Sequence, residues 1–350
     1  MKYHIAFGRP IDLEAIHLDA QAHKCPRNGT AALAAHLGAT IYQPGTDSIQ
    51  RRDYLWTKLA GRPEHWALAR RLAEHLTAND LIFCSGEDVG IPIATVCGDR
   101  RDRPKIAVFM HNIARPRGYL ASQWFRLGDR IDLFVTNARP QADFLRRTLR
   151  IPESRIYVLP EHIDTAFFTP GAQKPHKVRP IIVSVGLEKR DYRTVATATE
   201  TLAVDVKISG FSKDARTIAQ AFPETLPANM TRQFYEWPDL VQLYRDADLV
   251  VVSLVDNKFC AGLTAMLEAM SCHRPVIMTR TQGLTDYLMH SGIATVIDSG
   301  DPVAMRQAIM QLLANPQASQ SQAQIGYEKV IKLHNMERYV KDFADRLRAI

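Results

Sequence analysis

Cysteine is scarce and odd in number: five among 350 residues, at positions 25, 84, 97, 260 and 272. None stands in a Cys-x-x-Cys pair, which argues against a disulfide frame or a zinc site and for reduced thiols in the cytoplasm. No run of about 18 apolar residues occurs, so no transmembrane helix is expected. The first residues, MKYHIAFGRPIDLEA, read as a strand followed by charge rather than as a signal peptide. There is no solenoid-type repeat. No nucleic-acid module or aromatic–basic sheet motif is present either, so nucleic acid is not expected as a partner. What is there is 46% apolar content in a chain long enough for two domains.

Positive charge is concentrated. The net charge is +7, and Arg101–Arg150 alone holds 11 Lys/Arg against 4 Asp/Glu, so the remaining 300 residues sum to zero. A local basic surface suits acidic lipid headgroups, nucleic acid or phosphorylated substrates. A solvated arginine-rich helix face is the alternative. Arg51–Leu76 reads as helical in period, broken near Gly61–Pro63, with basic residues among Tyr54, Trp56 and Trp66. That mixture suits a helix lying in a lipid interface with its rings inserted. The plainer alternative is that the rings are core.

The chain is organised around Tyr244–Leu288. Leu249–Leu254 is a short β-branched apolar run between charges, which predicts a buried parallel strand. Val255–Ala261 follows as a loop, Leu263–Cys272 as a helix and Pro275–Thr279 as a second buried strand. These make a βαβ unit, whose ligands sit beyond the carboxyl ends of the strands. The free N–H groups of a helix starting near Gly262 form an anion site around Ala261, Gly262, Leu263 and Thr264. Glu268 lies inside that helix among Leu267, Ala269 and Met270. A carboxylate so placed is either paired with a neighbouring base or binding something.

Earlier strands are predicted at His4–Gly8, Thr40–Gln43, Asp80–Cys84, Lys105–His111, Leu133–Thr136 and Ile156–Leu159. Gly171–Pro180, rich in proline, glycine and lysine, marks a linker. Ile181–Val185 then opens a second half, and Gly186 starts the loop GLEKRDYRT ahead of a helix from about Thr194. Glycine followed by basic residues before a helix outlines a diphosphate cradle of Gly186, Lys189 and Arg190. Val204–Ser209 and Thr231–Phe234 are further strands, and Asp239–Asp248 is a helix.

Glu268-Ala269-Met270 followed by Pro275-Val276 resembles the nucleotide-sugar site of retaining glycosyltransferases of the GT-B fold, in the large fourth family. The resemblance extends to Arg190-Asp191-Tyr192, to Asp298 and Asp301-Pro302, and to Asp164, Phe167-Phe168 and Pro170, where the family's first domain closes. It covers nearly all of residues 100–350. It implies an α/β, GT-B chain of two Rossmann-like domains facing across a central cleft. Residues 1–172 would take the acceptor and 178–334 the donor, with a helix over about 335–350 packing back on the first. By the same resemblance Glu268 accepts the ribose hydroxyls, Arg190 with Lys189 carries the diphosphate, and His111 meets the donor sugar. Where the family has its first loop glutamate, this chain has Cys260.

The implied function is retaining transfer from a UDP-sugar, with a GDP-sugar second, to a hydroxyl acceptor, a lipid or lipid-linked one among the options. The helix N-terminus and Arg190 with Lys189 would neutralise the leaving diphosphate, so no metal or other cofactor is expected. No carboxylate nucleophile of the glycosidase kind stands out. The basic first domain suggests peripheral contact with an anionic membrane at its cytoplasmic face. Two alternatives remain. One is an epimerase or hydrolase of the same fold, needing acid/base carboxylates such as Glu87, Asp88 and Glu161. The other is a non-catalytic nucleotide-sugar or lipid-binding protein.

Overall fold

The computed structural model describes residues 1–174, 177–211, 221–289 and 292–350; two positions of the expected linker, 175 and 176, lie outside these. The chain divides into two units: Met1–Ala15, Asn28–Pro160 and Tyr339–Ile350 form the first, and Ile16–Arg27 with Glu161–Arg338 the second.

The first unit is built on strands β1 (Lys2–Ala6), β2 (Thr40–Tyr42), β3 (Asp80–Cys84), β4 (Lys105–Phe109), β5 (Leu133–Thr136) and β6 (Ile156–Val158). All pairs are parallel, in the order β2-β1-β3-β4-β5-β6. The second unit repeats the plan with β7 (Ile181–Val185), β8 (Asp205–Ser209), β9 (Met230–Arg232), β10 (Leu249–Val252), β11 (Val276–Thr279) and β12 (Thr295–Ile297). These too are parallel, in the order β12-β11-β10-β7-β8-β9. Helices cover both faces of such sheets, so the strands must be apolar on both sides. Leu249–Val252 meets that demand: all four residues are fully inaccessible. Strand order reverses between β1 and β3 in the first unit and between β7 and β10 in the second.

Local differences from the sequence reading have local causes. Arg51–Leu76 is not one broken helix but a short turn at Arg51–Tyr54 and a helix at Pro63–His75, started by the proline, whose missing N–H costs nothing there. Trp66 on that helix is buried and donates its indole N–H to Ala60 O at 3.0 Å, so it is core and not an inserted ring. Arg70 and Arg71 are likewise engaged, with Asp53 at 2.7 Å and Asp47 at 2.5 Å. An unpredicted helix, Leu13–Gln21, lies in the segment before Arg27.

Arg27 explains part of the second unit's composition. Its guanidinium grips the buried Asp164 carboxylate at 2.6 and 3.0 Å and also reaches Glu337 at 2.9 Å. Burial pushes the Asp164 carboxyl up, but the hydrogen bonds and charge of Arg27 outweigh it and hold the group below its ordinary range. The sign follows: this stability is fully present above the unfolded aspartate pKa of about 3.9 and is lost as pH falls through the lower folded value. Arg27→Ala is expected to cost about 2 kcal/mol, less than a fully buried pair because the guanidinium partly faces water. Urea unfolding at neutral pH should show that loss, and the difference from the parent should shrink on acidification; an equal stability at neutral pH would refute it.

Candidate functional site

In the second unit the loops after β7 and β10 meet at the reversal of strand order, where open α/β sheets place ligands. Backbone bonds zip them together: Asp191 N–H donates to Ser253 O and Val255 N–H to Lys189 O, each at 3.0 Å. Gly186, at φ +100°, lets the chain turn off β7, and a Cβ there would stand 2.4 Å from Nη2 of Arg190. The Arg190 side chain therefore lies tucked beneath the loop. Its Nε donates to Val185 O at 2.8 Å and its Nη1 to Glu188 O at 2.9 Å, so two donors serve the loop's own carbonyls. Half-buried Lys189 beside it, at φ +56°, has no side-chain partner among the described residues. Of the two basic residues, Lys189 is the available donor and Arg190 the buried charge.

After β10, Gly262 at φ +82° starts the helix Leu263–Ser271 from a left-handed conformation that suits glycine. Ala261 is buried beneath this turn. Leu263 N–H already donates to Cys260 O at 3.3 Å. The N–H groups of Thr264 and Ala265 have no partner among the described residues, and Thr264 is exposed. They sit at the positive end of the helix dipole. Cys260 is half-buried, with its thiol 3.3 Å from Gly283 O. Burial pushes that thiol up, and the charges of Glu161 and Asp286 add to the effect. A neutral thiol thus occupies the loop position, with carboxylates nearby on other segments.

Glu268 is buried one and a half turns into the helix. The Tyr244 hydroxyl donates to its Oε2 at 2.7 Å, while Oε1 has no hydrogen bond among the described residues. Burial pushes its carboxyl up to about 7, against the lowering influence of the Tyr244 bond and the Arg190 charge. Its partner is therefore a neutral phenol and not a neighbouring base. Tyr244 shares its helix's apolar phase with Leu240, Val241 and Leu243, so periodicity alone reads it as core. Only the fold shows that its hydroxyl end meets a carboxylate.

In the first unit, exposed His111 follows β4, its Nε2 3.2 Å from Ser85 O and its ring 4.5 Å from that of Phe109. Buried Glu87 clamps this turn, accepting His111 N–H at 2.6 Å and Asn112 N–H at 3.2 Å. That role was illegible in the sequence, since the two segments meet only through the sheet. Asp88 lies between the ends of β1 and β3, where a Cβ on Gly8 would stand 2.6 Å from its carboxylate. Of the carboxylates an epimerase or hydrolase would need, Glu87 is engaged in this clamp, and an oxygen of Glu161 accepts His162 N–H at 3.2 Å.

The one Asp-x-Asp triplet in the chain is Asp246-Ala247-Asp248. Asp246 accepts Lys174 N–H at 2.9 Å, and Asp248 accepts Ile181 N–H at 2.7 Å and Lys177 Nζ at 2.9 Å. Both carboxylates anchor the approach to β7. No group of three His, Cys, Asp or Glu placed to hold a metal ion occurs among the described residues.

Residues 192–315, which carry the helix of Glu268 and the strands around it, match the family described as glycosyl transferases group 1. That stretch of the second unit is similar to a group 1 glycosyltransferase domain. One curated relative, D-inositol 3-phosphate glycosyltransferase of a Mycobacterium species (strain JLS), is 25% identical over 248 residues. That match spans 62% of this chain and 55% of the relative's length. Whole-chain likeness is structural. Sucrose-phosphate synthase from Thermosynechococcus elongatus superposes with a TM-score of 0.73 at 16% identity, covering 100% of this chain and 99% of that one. HepE of Anabaena, solved in complex with UDP-glucose, gives 0.70 at 13% identity with full coverage of both. Together they show the GT-B fold, and the group 1 match lies within its second half.

Proposed function

We propose that this chain is a retaining glycosyltransferase that moves a sugar from a nucleoside diphosphate sugar to a hydroxyl acceptor. One observation carries the reading: Gly186, Lys189, Arg190, the open helix N-terminus at Thr264 and the carboxylate of Glu268 gather at the strand reversal of the group 1 domain. In this reading Lys189 and the helix N–H groups meet the diphosphate, the buried Arg190 charge supports them, and Oε1 of Glu268 accepts from the ribose. UDP is the favoured nucleotide; the UDP-glucose complex of a structurally similar protein supports that choice. GDP is second.

The reaction exchanges one C–O bond for another at the anomeric carbon. The bond from that carbon to the β-phosphate oxygen breaks as the bond to the acceptor oxygen forms on the same face. The acceptor proton passes to the leaving phosphate, giving a nucleoside diphosphate and a glycoside. The cationic groups act on charge that develops at the diphosphate, which is where electrostatic preorganisation speeds the step. His111 is the proposed contact to the donor sugar, held in place by Glu87.

Thermal-shift screening tests the reading. A nucleoside diphosphate at 100 times its dissociation constant stabilises by about 2.7 kcal/mol. UDP and UDP-sugars are expected to raise the melting temperature more than uridine, and a sugar-donor panel with hydroxyl acceptors should yield glycoside. No shift with any nucleoside diphosphate would sink the proposal. Nucleotide release without glycoside would favour a hydrolase instead.

A further inference from the structure

Two segments of the first unit, far apart in sequence, are fastened together and carry an unusual surface. Arg117 on the helix Pro116–Trp124 donates from Nε to Leu59 O at 3.0 Å and from Nη2 to Thr57 O at 2.6 Å. The Trp56 ring packs on Trp124 at 6.0 Å and edge-on against Phe125 at 5.7 Å. Outward from this seam point Tyr54, Leu55, Leu120 and Trp124, which are 59%, 66%, 56% and 65% exposed. Single exposed apolar residues are ordinary; four large ones on two joined segments form a patch that calls for a partner.

The rim of the patch is cationic. Arg51, Arg52 and Lys58 are exposed and have no ion pair among the described residues. Arg62 keeps only a 3.9 Å contact to Glu64 with most of its side chain in water. The one carboxylate within residues 51–62, Asp53, is buried and taken by Arg70. Two copies of this chain meeting through the patch would bring like charges together. A protein partner would need an acidic ring around an apolar socket. An anionic bilayer supplies both at once, with acidic headgroups for the arginines and an acyl boundary for the rings.

We propose that this surface is a membrane-docking face, in which Leu120, Trp124, Leu55 and Tyr54 enter the headgroup–acyl boundary of an anionic bilayer and Arg51, Arg52 and Lys58 engage its headgroups. Trp124 and Leu120 replace buried Trp66 as the anchors that the sequence pattern suggested. The same two segments wall a pocket of about 210 Å³, through Leu59–Arg62 and through Arg115, Arg117 and Gly118, with Glu87 and Asp88 also in its lining. The pocket thus lies against the two segments that form the docking face. Resting on the transferase reading, this makes the acceptor hydroxyl one borne by a membrane lipid.

Flotation with phosphatidylcholine vesicles, with and without phosphatidylglycerol, tests the docking face on the full chain. The parent protein should float only with the anionic vesicles and less as salt rises. Each basic residue near an anionic surface contributes about a fivefold factor in partitioning, so Arg51→Glu with Arg52→Glu should weaken it by about 30-fold or more. Leu120→Ser with Trp124→Ser, on side chains already facing water, should weaken it by about tenfold or more. A parent protein that stays unbound at low salt overturns the proposal. Undiminished binding by both double variants overturns it too, as does a dimer in solution that the Leu120→Ser/Trp124→Ser variant disperses. UDP-induced thermal stabilisation is read on the same samples and should be equal in all of them. If that stabilisation is absent while flotation follows the expected pattern, the transferase reading falls and the docking face stands.

Discussion

Glu268→Gln should weaken nucleoside diphosphate binding about 10- to 100-fold while making the unliganded protein more stable above neutral pH. The first effect follows from losing charge-assisted hydrogen bonds to the ribose, worth about 1.5–3 kcal/mol. The second follows from burial. The folded carboxyl is pushed up to about 7, against about 4.3 in the unfolded chain. A group raised in this way contributes stability that is fully present below pH 4.3 or so and is lost as pH rises through about 7. The total loss is about 3–4 kcal/mol as an order of magnitude. Glutamine keeps an acceptor for the Tyr244 hydroxyl but has nothing to ionise, so it escapes that loss. Isothermal titration with UDP and urea unfolding at pH 5 and pH 8 should show the two effects in opposite directions. Unchanged UDP affinity in the folded variant would count decisively against the nucleotide site. A pH-independent stability difference would count against a raised carboxyl.

Lys189→Ala and Arg190→Ala should separate ligand contact from scaffolding. The Lys189 ammonium has no partner among the described residues. Its removal should leave unfolding unchanged within about 0.5 kcal/mol and weaken UDP about tenfold, with uridine unaffected. Arg190 holds Val185 O and Glu188 O from a buried position. Losing it leaves those carbonyls short of donors and should cost about 2–3 kcal/mol of stability. It also removes a positive charge that lowers the Glu268 carboxyl, so on acidification UDP binding in Arg190→Ala should be lost at a higher pH than in the parent. Both variants should lose more affinity for the diphosphate than for the nucleoside. Equal losses for UDP and uridine would reject the diphosphate role of either residue. Full stability of Arg190→Ala would show that its carbonyl bonds contribute little.

The sequence by itself determined the two sheets and marked the candidate donor site, and the reason is chemical. Parallel strands covered on both faces must be apolar throughout, so Leu249–Val252, Ile181–Val185 and Asp80–Cys84 are visible as short runs between charges. Gly186 and Gly262 mark turns at strand ends because the backbone there is left-handed or closely packed. The carboxylate of Glu268 is conspicuous because its helix neighbours are apolar. Only the tertiary structure decided which basic residue is open. Lys189 and Arg190 are neighbours with the same charge, and the direction of each depends on how the loop is zipped to β10. It also decided that Tyr244 is the partner of Glu268, that Glu87 clamps the turn at His111, and that Trp66 is core while Trp124 is outside. The first two pairings each join residues 24 positions apart, and Trp124 is set against Trp56, 68 positions before it. Periodicity reports which face of an element is apolar; it carries no information about which distant segment that face, or the polar tip of a side chain on it, will meet.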